Sequence, residues 1–390
     1  MKFQDKHDLK RHGRSLGTFP VPAADNQTVE RSPHVTQPKE LASFSIDHER
    51  KVWFDNRQLK YYYPNTGNDL SVGYEQWITR DPSLMEHLDT LLDALTDTEQ
   101  KLQKPELSKV DIITWRGIIT KIMCTPYTRN EPWELRATRY NGTVYIEEQA
   151  TEQKKQQESN ASERQNLMSY WGYKFESLST VSKPPKQVQK DDPELQQRLT
   201  DSVNINEQYC IVVKTRIGSS SLIIGAEVDC SMDEKPPPGE DPLRYYAELK
   251  TSRVIATERH LWSFERYKLM KFWAQSFLVG VPTVICGFRD DDGIVQEVKK
   301  FNTLRIPREV RGKRNMWDPA VCLNFADNFL KWVRSMVTVD DPMTTYTIRW
   351  EAPFRSISIE LSGQTNTFLT QRYINKETSH NIGGPRVHSQ

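Results

Sequence analysis

The chain has 390 residues, of which 36% are hydrophobic, and its mean hydropathy is −0.71. This length allows one to three domains, and the polar composition predicts unstructured ends around a folded centre. The 53 basic and 52 acidic side chains give a formal net charge of +1. This balance argues against binding of polyanions through overall charge, so basic residues must act locally if the substrate is a nucleic acid.

Other properties of the sequence indicate an intracellular protein that does not enter a membrane. No apolar run reaches the roughly 18 residues of a transmembrane helix, and the N-terminus lacks a signal-peptide core. The cysteines form no C-x-x-C pair, which argues against structural zinc and for reduced thiols. They are Cys124, Cys210, Cys230, Cys286 and Cys322.

The two ends of the chain are predicted to be flexible. Residues 1–38 form a polar arm whose basic run, Lys10–Arg14, is typical of a solvated tail, with nuclear import and RNA contact as the alternatives. A second polar tail covers residues 376–390. The sequence therefore predicts one folded domain over residues 39–375.

Helical and strand patterns alternate irregularly within this domain. Apolar residues spaced three and four apart predict helices over 84–102, 110–123, 168–179, 264–278 and 320–337. Short apolar or alternating runs predict strands at 133–140, 143–146, 209–216, 221–229, 245–250, 283–288 and 294–298, with two more around Thr347 and Ile357. Asn141-Gly142 is a preferred hairpin turn, and the Gln-rich segment 147–165 is predicted to be a mobile surface connection. The mixture predicts an α+β fold with mixed sheets.

Two acidic segments occur in the predicted strands, Glu227-Val228-Asp229 and Glu248-Leu249-Lys250. The first and third side chains of each segment share one face, because side chains alternate along a strand. Two neighbouring strands of this kind would bring three carboxylates and one ammonium group to one place. Like charges this close repel each other unless a cation lies among them. A hard divalent cation with oxygen ligands, Mg²⁺ or Mn²⁺, is the natural occupant.

Such a cluster has the chemistry of a nuclease. Carboxylates with an adjacent lysine are what the metal-dependent cleavage of a phosphodiester or a pyrophosphate requires. The alternative is two exposed strands with ordinary polar faces, because either segment alone is common. If the acids do cluster, removal of one should relieve repulsion, so the stability of the metal-free protein should stay equal or rise.

Three other positions have both a structural and a functional interpretation. Glu176 lies four residues after Gly172, on the same helix face, and is either a fourth carboxylate of the cluster or a surface glutamate. Arg116 interrupts an apolar helix face and either extends to solvent or binds a phosphate through its planar guanidinium group. Gln275 ends a polar helical stripe that either faces solvent or lines the site.

Five short segments, in this order, resemble the DXO family of decapping nucleases, including the fungal members that accompany the nuclear 5′→3′ exoribonuclease. They are Trp115-Arg116-Gly117, Gly172-Tyr173-Lys174-Phe175-Glu176, Gly225-Ala226-Glu227-Val228-Asp229, Glu248-Leu249-Lys250 and Trp273-Ala274-Gln275-Ser276-Phe277. The resemblance extends from about Phe44 to Tyr373. It implies a PD-(D/E)xK nuclease core with two mixed sheets flanked by helices, in a single domain.

The resemblance also implies a function in RNA quality control. Family members are metal-dependent hydrolases that remove incomplete or unmethylated caps, NAD caps and the pyrophosphate of 5′-triphosphate RNA, and some also degrade RNA 5′→3′. The implied partners are the RNA 5′ end and the nuclear exoribonuclease. The implied location is the nucleus, with the cytoplasm as a second location. Two alternatives remain: a partner subunit with little activity that stabilises the exoribonuclease, and a DNA nuclease of the same fold.

The resemblance further assigns roles to individual residues. Glu176, Asp229 and Glu248, with the Leu249 carbonyl, would bind the metal, for which two ions are expected. Glu227 would act through a water molecule and also meet the substrate. Lys250 would orient the attacking water and stabilise the developing phosphate charge. The implied substrate contacts are Arg50, Glu86, Trp115, Arg116, Gly117, Cys210 and Gln275.

Overall fold

The computed structural model describes residues 13–23, 31–64, 69–104, 107–237, 239–363 and 366–375. The strands are β1 (Arg14–Pro20), β2 (Val35–Ile46), β3 (Val52–Trp53), β4 (Tyr61–Tyr62), β5 (Ile112–Trp115), β6 (Trp133–Tyr140), β7 (Thr143–Gln149), β8 (Thr180–Val181), β9 (Gln208–Ile217), β10 (Ser220–Glu227), β11 (Cys230–Ser231), β12 (Tyr246–Arg253), β13 (Thr283–Arg289), β14 (Val295–Asn302), β15 (Thr345–Trp350) and β16 (Ser356–Leu361). The α-helices are α1 (Asp89–Leu102), α2 (Arg116–Cys124), α3 (Glu152–Ser159), α4 (Glu163–Leu178), α5 (Pro193–Thr200), α6 (Glu258–Ser263), α7 (Leu269–Val279), α8 (Ile306–Val310) and α9 (Pro319–Met336).

The strands form two sheets. Within the described residues, one sheet has the order β1-β16-β15-β6-β7-β5-β10-β9-β2-β3, and the other has the order β14-β13-β12-β11-β4-β8. Both are mixed, because β5 pairs in parallel with β7 and β10, and β12 pairs in parallel with β13, among antiparallel neighbours. The predicted α+β fold with two mixed sheets and flanking helices is confirmed.

One large hydrophobic cluster joins the two sheets. It contains buried side chains from β9 and β10 of the larger sheet, from β12 and β13 of the smaller sheet, and from helices α2, α7 and α9. Two smaller clusters pack α1 against the larger sheet and α4 against the other face of the smaller sheet. No helix in the described part of the chain is long and apolar enough to span a membrane.

The chain passes from one sheet to the other between the two acidic motifs. Strand β10 ends at Glu227 in the larger sheet, and β11 begins at Cys230 in the smaller sheet, next to β12. Val228 and Asp229 make the crossing, with Val228 buried and its N–H donating to the Tyr209 carbonyl. The prediction that the two acidic segments lie on neighbouring strands is therefore wrong, and the acids instead meet where the two sheets approach each other.

Three predicted segments differ from the structure. The helix predicted over 110–123 is a strand over its first half, because β5 is buried between β7 and β10 as a parallel strand, and a continuous apolar run suits either element. The connection over 147–165 contains α3 and the start of α4, which begins with a capping box at Ser162. The helix predicted from residue 84 begins at Asp89.

The predicted flexible arm also needs correction. Residues Arg14–Pro20 form β1 and pair antiparallel with β16, so this part of the arm belongs to the larger sheet. Strand β2 begins at Val35, inside the predicted arm. Residues 1–12 and 24–30, and the tail predicted over 376–390, lie outside the described residues. The hairpin at Asn141-Gly142 is confirmed, with both residues at positive φ.

Candidate active site

The acidic residues occupy the junction of the two sheets, and helix α4 brings one of them from outside. Glu227 ends β10, Asp229 lies in the crossing, and Glu248 and Lys250 lie on β12. Glu176 is on α4, which packs on β12. This approach depends on Gly287 of β13: a Cβ at that position would lie 2.5 Å from the buried Phe175 ring.

Glu248 is fully paired with cations. It is 1% exposed, and the two guanidinium nitrogens of Arg116 donate to its two oxygens at 2.8 and 3.1 Å. The Lys250 ammonium donates to it at 2.7 Å. Burial alone would raise the pKa of Glu248, but Arg116 and Lys250 lower it to about 2. Arg116 therefore does not extend to solvent, and its guanidinium group lies inside the acidic cluster.

The negative charges of Asp229 and Glu176 are not balanced by neighbouring cations. Asp229 accepts a hydrogen bond from the Leu249 N–H at 2.6 Å, and Lys250 lies 3.7 Å away. Burial, followed by repulsion from Glu248, raises the pKa of Asp229 to about 7. Burial and repulsion from Asp229 raise the pKa of Glu176 well above its ordinary value. A cation bound between these groups would relieve both effects.

The Leu249 carbonyl opens towards the same acids. In a strand, the N–H and C=O of one residue point to the same neighbouring strand. The Leu249 N–H points to Asp229, beyond the end of the short pairing between β11 and β12. The Leu249 carbonyl is consequently directed to the Asp229 side, as expected of a backbone ligand to a metal.

Glu227 is held by a hydrogen-bond network that the motifs do not reveal. The Gln208 amide nitrogen donates to Glu227 at 2.9 Å. The Gln208 amide oxygen accepts from Arg50 at 2.8 Å and from Arg80 at 2.7 Å, which fixes the orientation of the amide. Arg50 also donates to Glu86 through Nε at 2.9 Å, so both residues predicted as substrate contacts belong to this network.

Sequence reasoning missed Gln208 and Arg80. One signal for Gln208 was available: the β9–β10 hairpin sets Cys210 opposite Glu227, and a residue two positions along the strand is a diagonal neighbour. Arg80 lies in a loop, and the sequence has no pattern that would have placed it beside Gln208.

The other predicted contact residues differ in their accessibility. The Cys210 thiol is buried beside the hydrophobic cluster that includes Phe44 and Leu91, and burial raises its pKa. Cys210 lies opposite Glu227 in the β9–β10 pairing, so its side chain is on the same face of the sheet as that acid. Trp115 donates through Nε1 to the His87 carbonyl at 3.0 Å. Gly117, exposed near the start of α2, has open space around it. Gln275 is half-buried on α7, which packs on α2, and does not line the cavity described next.

A large cavity adjoins the acids. It has a volume of about 1210 Å³, and Glu176, Glu227 and Asp229 form part of its wall. Lys60 and Arg80 are among the other lining residues, which are mostly polar. The cavity is larger than most sites for small ligands, and both acidic and basic side chains line it.

The donor set fits a hard divalent cation. Carboxylate and carbonyl oxygens are the ligands that Mg²⁺ and Mn²⁺ prefer. Within the described residues, however, no three acidic, histidine or cysteine side chains already converge as a closed ligand group. The Glu248 oxygens are turned to Arg116 and Lys250. A cation bound at these acids would use the remaining lone pairs of Glu248 or replace part of that pairing.

Comparison with known proteins identifies the family of this chain. The model of the RAI1-like PD-(D/E)XK nuclease family matches residues 36–374. The chain belongs to this family. The resemblance inferred from the five motifs is thereby confirmed, and with it the expectation of a hydrolase with a PD-(D/E)xK core.

The RAI1-like family includes curated relatives of similar length. The chain is 46% identical over 317 residues to the decapping nuclease RAI1 of Neurospora crassa, covering 79% of this chain and 75% of the relative. It is 38% identical over 327 residues to the decapping and exoribonuclease protein of Homo sapiens, covering 82% and 80%.

Solved structures of RAI1-like proteins have the same fold. Candida albicans Rai1 in complex with pU5 and Mn²⁺ matches with a TM-score of 0.83 and 28% identity, over 94% of this chain and 99% of that one. Scheffersomyces stipitis Rai1 in complex with (3′-NADP)⁺ and a calcium ion matches with a TM-score of 0.80 and 28% identity, over 90% and 99%.

Proposed function

We propose that this protein is a divalent-metal-dependent hydrolase of RNA 5′ ends. Its substrates would be RNAs with incomplete or unmethylated caps, NAD caps or 5′ triphosphates, and 5′→3′ exonuclease activity would accompany end removal. The observation that carries this proposal is the acidic cluster: Lys250 lies against Glu248 and Asp229, and Asp229, Glu176 and Glu227 line a cavity of about 1210 Å³. The names of the relatives and the pU5 and (3′-NADP)⁺ bound in the neighbouring structures support it.

We propose that the protein binds two ions of Mg²⁺ or Mn²⁺. Glu227 would contact them through a water molecule. The direct ligands would be Glu176, Asp229, Glu248 and the Leu249 carbonyl. Such ions would lower the pKa of the attacking water and neutralise charge on the scissile phosphate. The same centre serves caps, NAD and triphosphates, because the bond that breaks is a P–O bond in each case.

Lys250 supplies a fixed positive charge at the reacting phosphate. Burial alone would lower its pKa, but Glu248 and Asp229 raise it above the ordinary value, so the side chain is an ammonium ion. Held 2.7 Å from Glu248 and 3.7 Å from Asp229, it can donate to the attacking water and to an oxygen that gains negative charge.

Arg116 would bind the 5′ phosphates of the substrate. Its guanidinium group already makes a two-point contact with the Glu248 carboxylate, a geometry that phosphate oxygens share. Arg116 is also the first residue of α2, and free N–H groups at a helix N-terminus favour anions. A phosphate bound here would meet the guanidinium group next to the acidic cluster.

The proposed cellular role is quality control of RNA 5′ ends in the nucleus, beside a 5′→3′ exoribonuclease. Hydrolysis of a cap or of a triphosphate leaves a 5′ monophosphate, which a 5′→3′ exonuclease can use as its entry point. Affinity purification of the full chain from nuclear extract, followed by mass spectrometry, tests this association. Absence of any such exonuclease from the purified material contradicts it.

A cleavage assay tests the enzymatic proposal. RNAs of one sequence with GpppN, NAD, triphosphate and monophosphate 5′ ends, together with duplex DNA, are incubated with protein and Mn²⁺ or Mg²⁺. We expect release of a nucleotide-sized product or pyrophosphate from the RNA ends, identified by mass, and no product with Asp229→Asn. Cleavage of internal DNA sites with intact RNA ends would indicate a DNA nuclease, and no product at all would indicate a structural subunit.

A further inference from the structure

The cavity wall has one accessible aromatic ring. Among the described residues that line the cavity, two are aromatic, Tyr173 and Tyr209. Tyr209 is 2% exposed, and its hydroxyl donates to Asn56. Tyr173 is 38% exposed. The exposed part of the Tyr173 ring is an apolar surface among polar and charged cavity residues, and a flat ligand can pack against it.

The Tyr173 ring is backed by other aromatic rings. Its centroid lies 6.0 Å from that of Trp77. Trp77 packs edge-on against Tyr170 at 5.6 Å, and Tyr170, which is fully buried, packs against Tyr74 at 5.4 Å. The ring is therefore held from behind by a fixed support, and its exposed part is presented to the cavity.

Tyr173 is also next to the acidic cluster. It lies three residues before Glu176 on α4, so the two side chains are neighbours on the helix surface. Its hydroxyl is close enough to Glu176, Glu227 and Arg80 to interact with them electrostatically. Burial, with Glu176 next in importance, raises the pKa of Tyr173, which keeps the phenol neutral. A nucleotide whose phosphate is at the acids would have its base within reach of this ring.

We propose that Tyr173 is a stacking platform for the nucleobase of a nucleotide bound with its phosphate at the acidic cluster. Base stacking on an aromatic ring is largely independent of base identity, which suits a hydrolase that accepts several 5′ ends. The inference rests on the proposed function. The base can come from the first nucleotide of the RNA or from the leaving cap nucleoside, and the experiment separates these sources.

The kinetic test compares three variants on triphosphorylated RNA and on GpppN-RNA. Stacking of one base contributes about 1–3 kcal/mol, so we expect Tyr173→Ala to raise KM roughly 5- to 150-fold on RNA that carries the stacked base, with kcat changed much less. Tyr173→Phe keeps the ring and should behave like the wild-type protein. Tyr267→Ala is the matched control, because Tyr267 is 41% exposed and does not line the cavity.

Abasic RNAs identify the stacked base. If it is the first RNA base, the KM difference between the wild-type protein and Tyr173→Ala should disappear on triphosphorylated RNA with an abasic first nucleotide. If it is the cap base, the difference should be present on GpppN-RNA and should persist when the first RNA nucleotide is abasic. A difference of the same size on abasic triphosphorylated RNA, which has neither base, would overturn the proposal.

Fluorescence gives a readout that does not depend on hydrolysis. RNA with 2-aminopurine as its first nucleotide is titrated with protein in the presence of Ca²⁺, and the same base is placed in the cap position for a second titration. Stacking quenches this fluorophore, so the wild-type protein and Tyr173→Phe should quench one of the two probes, and Tyr173→Ala should not. Equal quenching by Tyr173→Ala, or none by the wild-type protein, refutes stacking even if RNA ends are hydrolysed. If the wild-type protein quenches a probe in Ca²⁺ but gives no product in the cleavage assay with Mn²⁺ or Mg²⁺, the proposed function is refuted and the stacking is not.

Discussion

At the scale of single residues, the four acids differ in their electrostatic roles. Glu248 is compensated by Arg116 and Lys250 and has a pKa lowered to about 2. Asp229 has a pKa raised to about 7, mainly by burial and then by Glu248. The sequence suggests that removing any one acid relieves repulsion, but the structure restricts this expectation to the uncompensated acids.

Two substitutions should therefore have opposite effects on the metal-free protein. Glu248→Ala removes the main partner of two half-buried cations and should lower the free energy of unfolding, by up to about 3 kcal/mol. Asp229→Asn removes an uncompensated charge, so stability should stay equal or rise. Both should abolish hydrolysis and the stabilisation by Mn²⁺. Thermal melting in EDTA and in Mn²⁺ measures this, and equal melting temperatures of the two variants in EDTA would contradict the assignment.

The raised pKa of Asp229 also predicts how stability depends on pH. A carboxyl group with a higher pKa in the folded state binds protons more tightly when folded, so the metal-free protein should lose stability as pH rises from about 4 to about 7. Asp229→Asn should lose less stability over the same range. Urea unfolding in EDTA at several pH values measures both slopes, and identical slopes would show that Asp229 does not titrate in this window.

At the scale of elements, the position of α4 decides whether Glu176 reaches the site. Gly287→Ala would place a methyl group against the buried Phe175 ring, so we expect a loss of roughly 1–3 kcal/mol of stability and weaker binding of Mn²⁺. Gly172→Ala is the matched control on α4 itself, because no atom lies within 4 Å of its added Cβ and alanine favours a helix. Unfolding and Mn²⁺ titrations compare the two. Unchanged Mn²⁺ affinity in Gly287→Ala would separate Glu176 from the metal site.

The elements also show what could be predicted from the sequence. The hairpin at Asn141-Gly142 and the helix from residue 168 follow from local turn chemistry and apolar spacing, and both were predicted, although α4 begins earlier, at Glu163. Strand β5 was predicted as helix, because a run of four mostly apolar residues has no periodicity that distinguishes the two elements. The identities of the acids could be predicted, but the pairing of Arg116 with Glu248 depends on contacts between residues 132 positions apart, for which the local sequence has no signal.

At the scale of the whole molecule, the site depends on the arrangement of two sheets. The larger sheet contributes Glu227, the smaller sheet contributes Glu248, and the crossing contributes Asp229. Long-range pairing also forms one edge of the larger sheet, where Arg14 of β1 lies opposite Leu361 of β16. Alternation within a strand predicts which acids share a face, but it does not predict which sheet a strand joins, and this is why the acids were expected on adjacent strands.

The crossing at Val228 and Asp229 makes any bound cation a cross-link between the sheets. Without the ion, the junction of the two sheets (the seam) should open more often, and the amide hydrogens at this junction should exchange faster with solvent. The informative amides are those of Val228, bonded to the Tyr209 carbonyl, and Leu249, bonded to Asp229. We expect Mn²⁺ to slow their exchange far more than that of Val144, bonded to Asp111 away from the seam. Uniform slowing in hydrogen–deuterium exchange would mean that the ion stabilises the molecule without joining its halves.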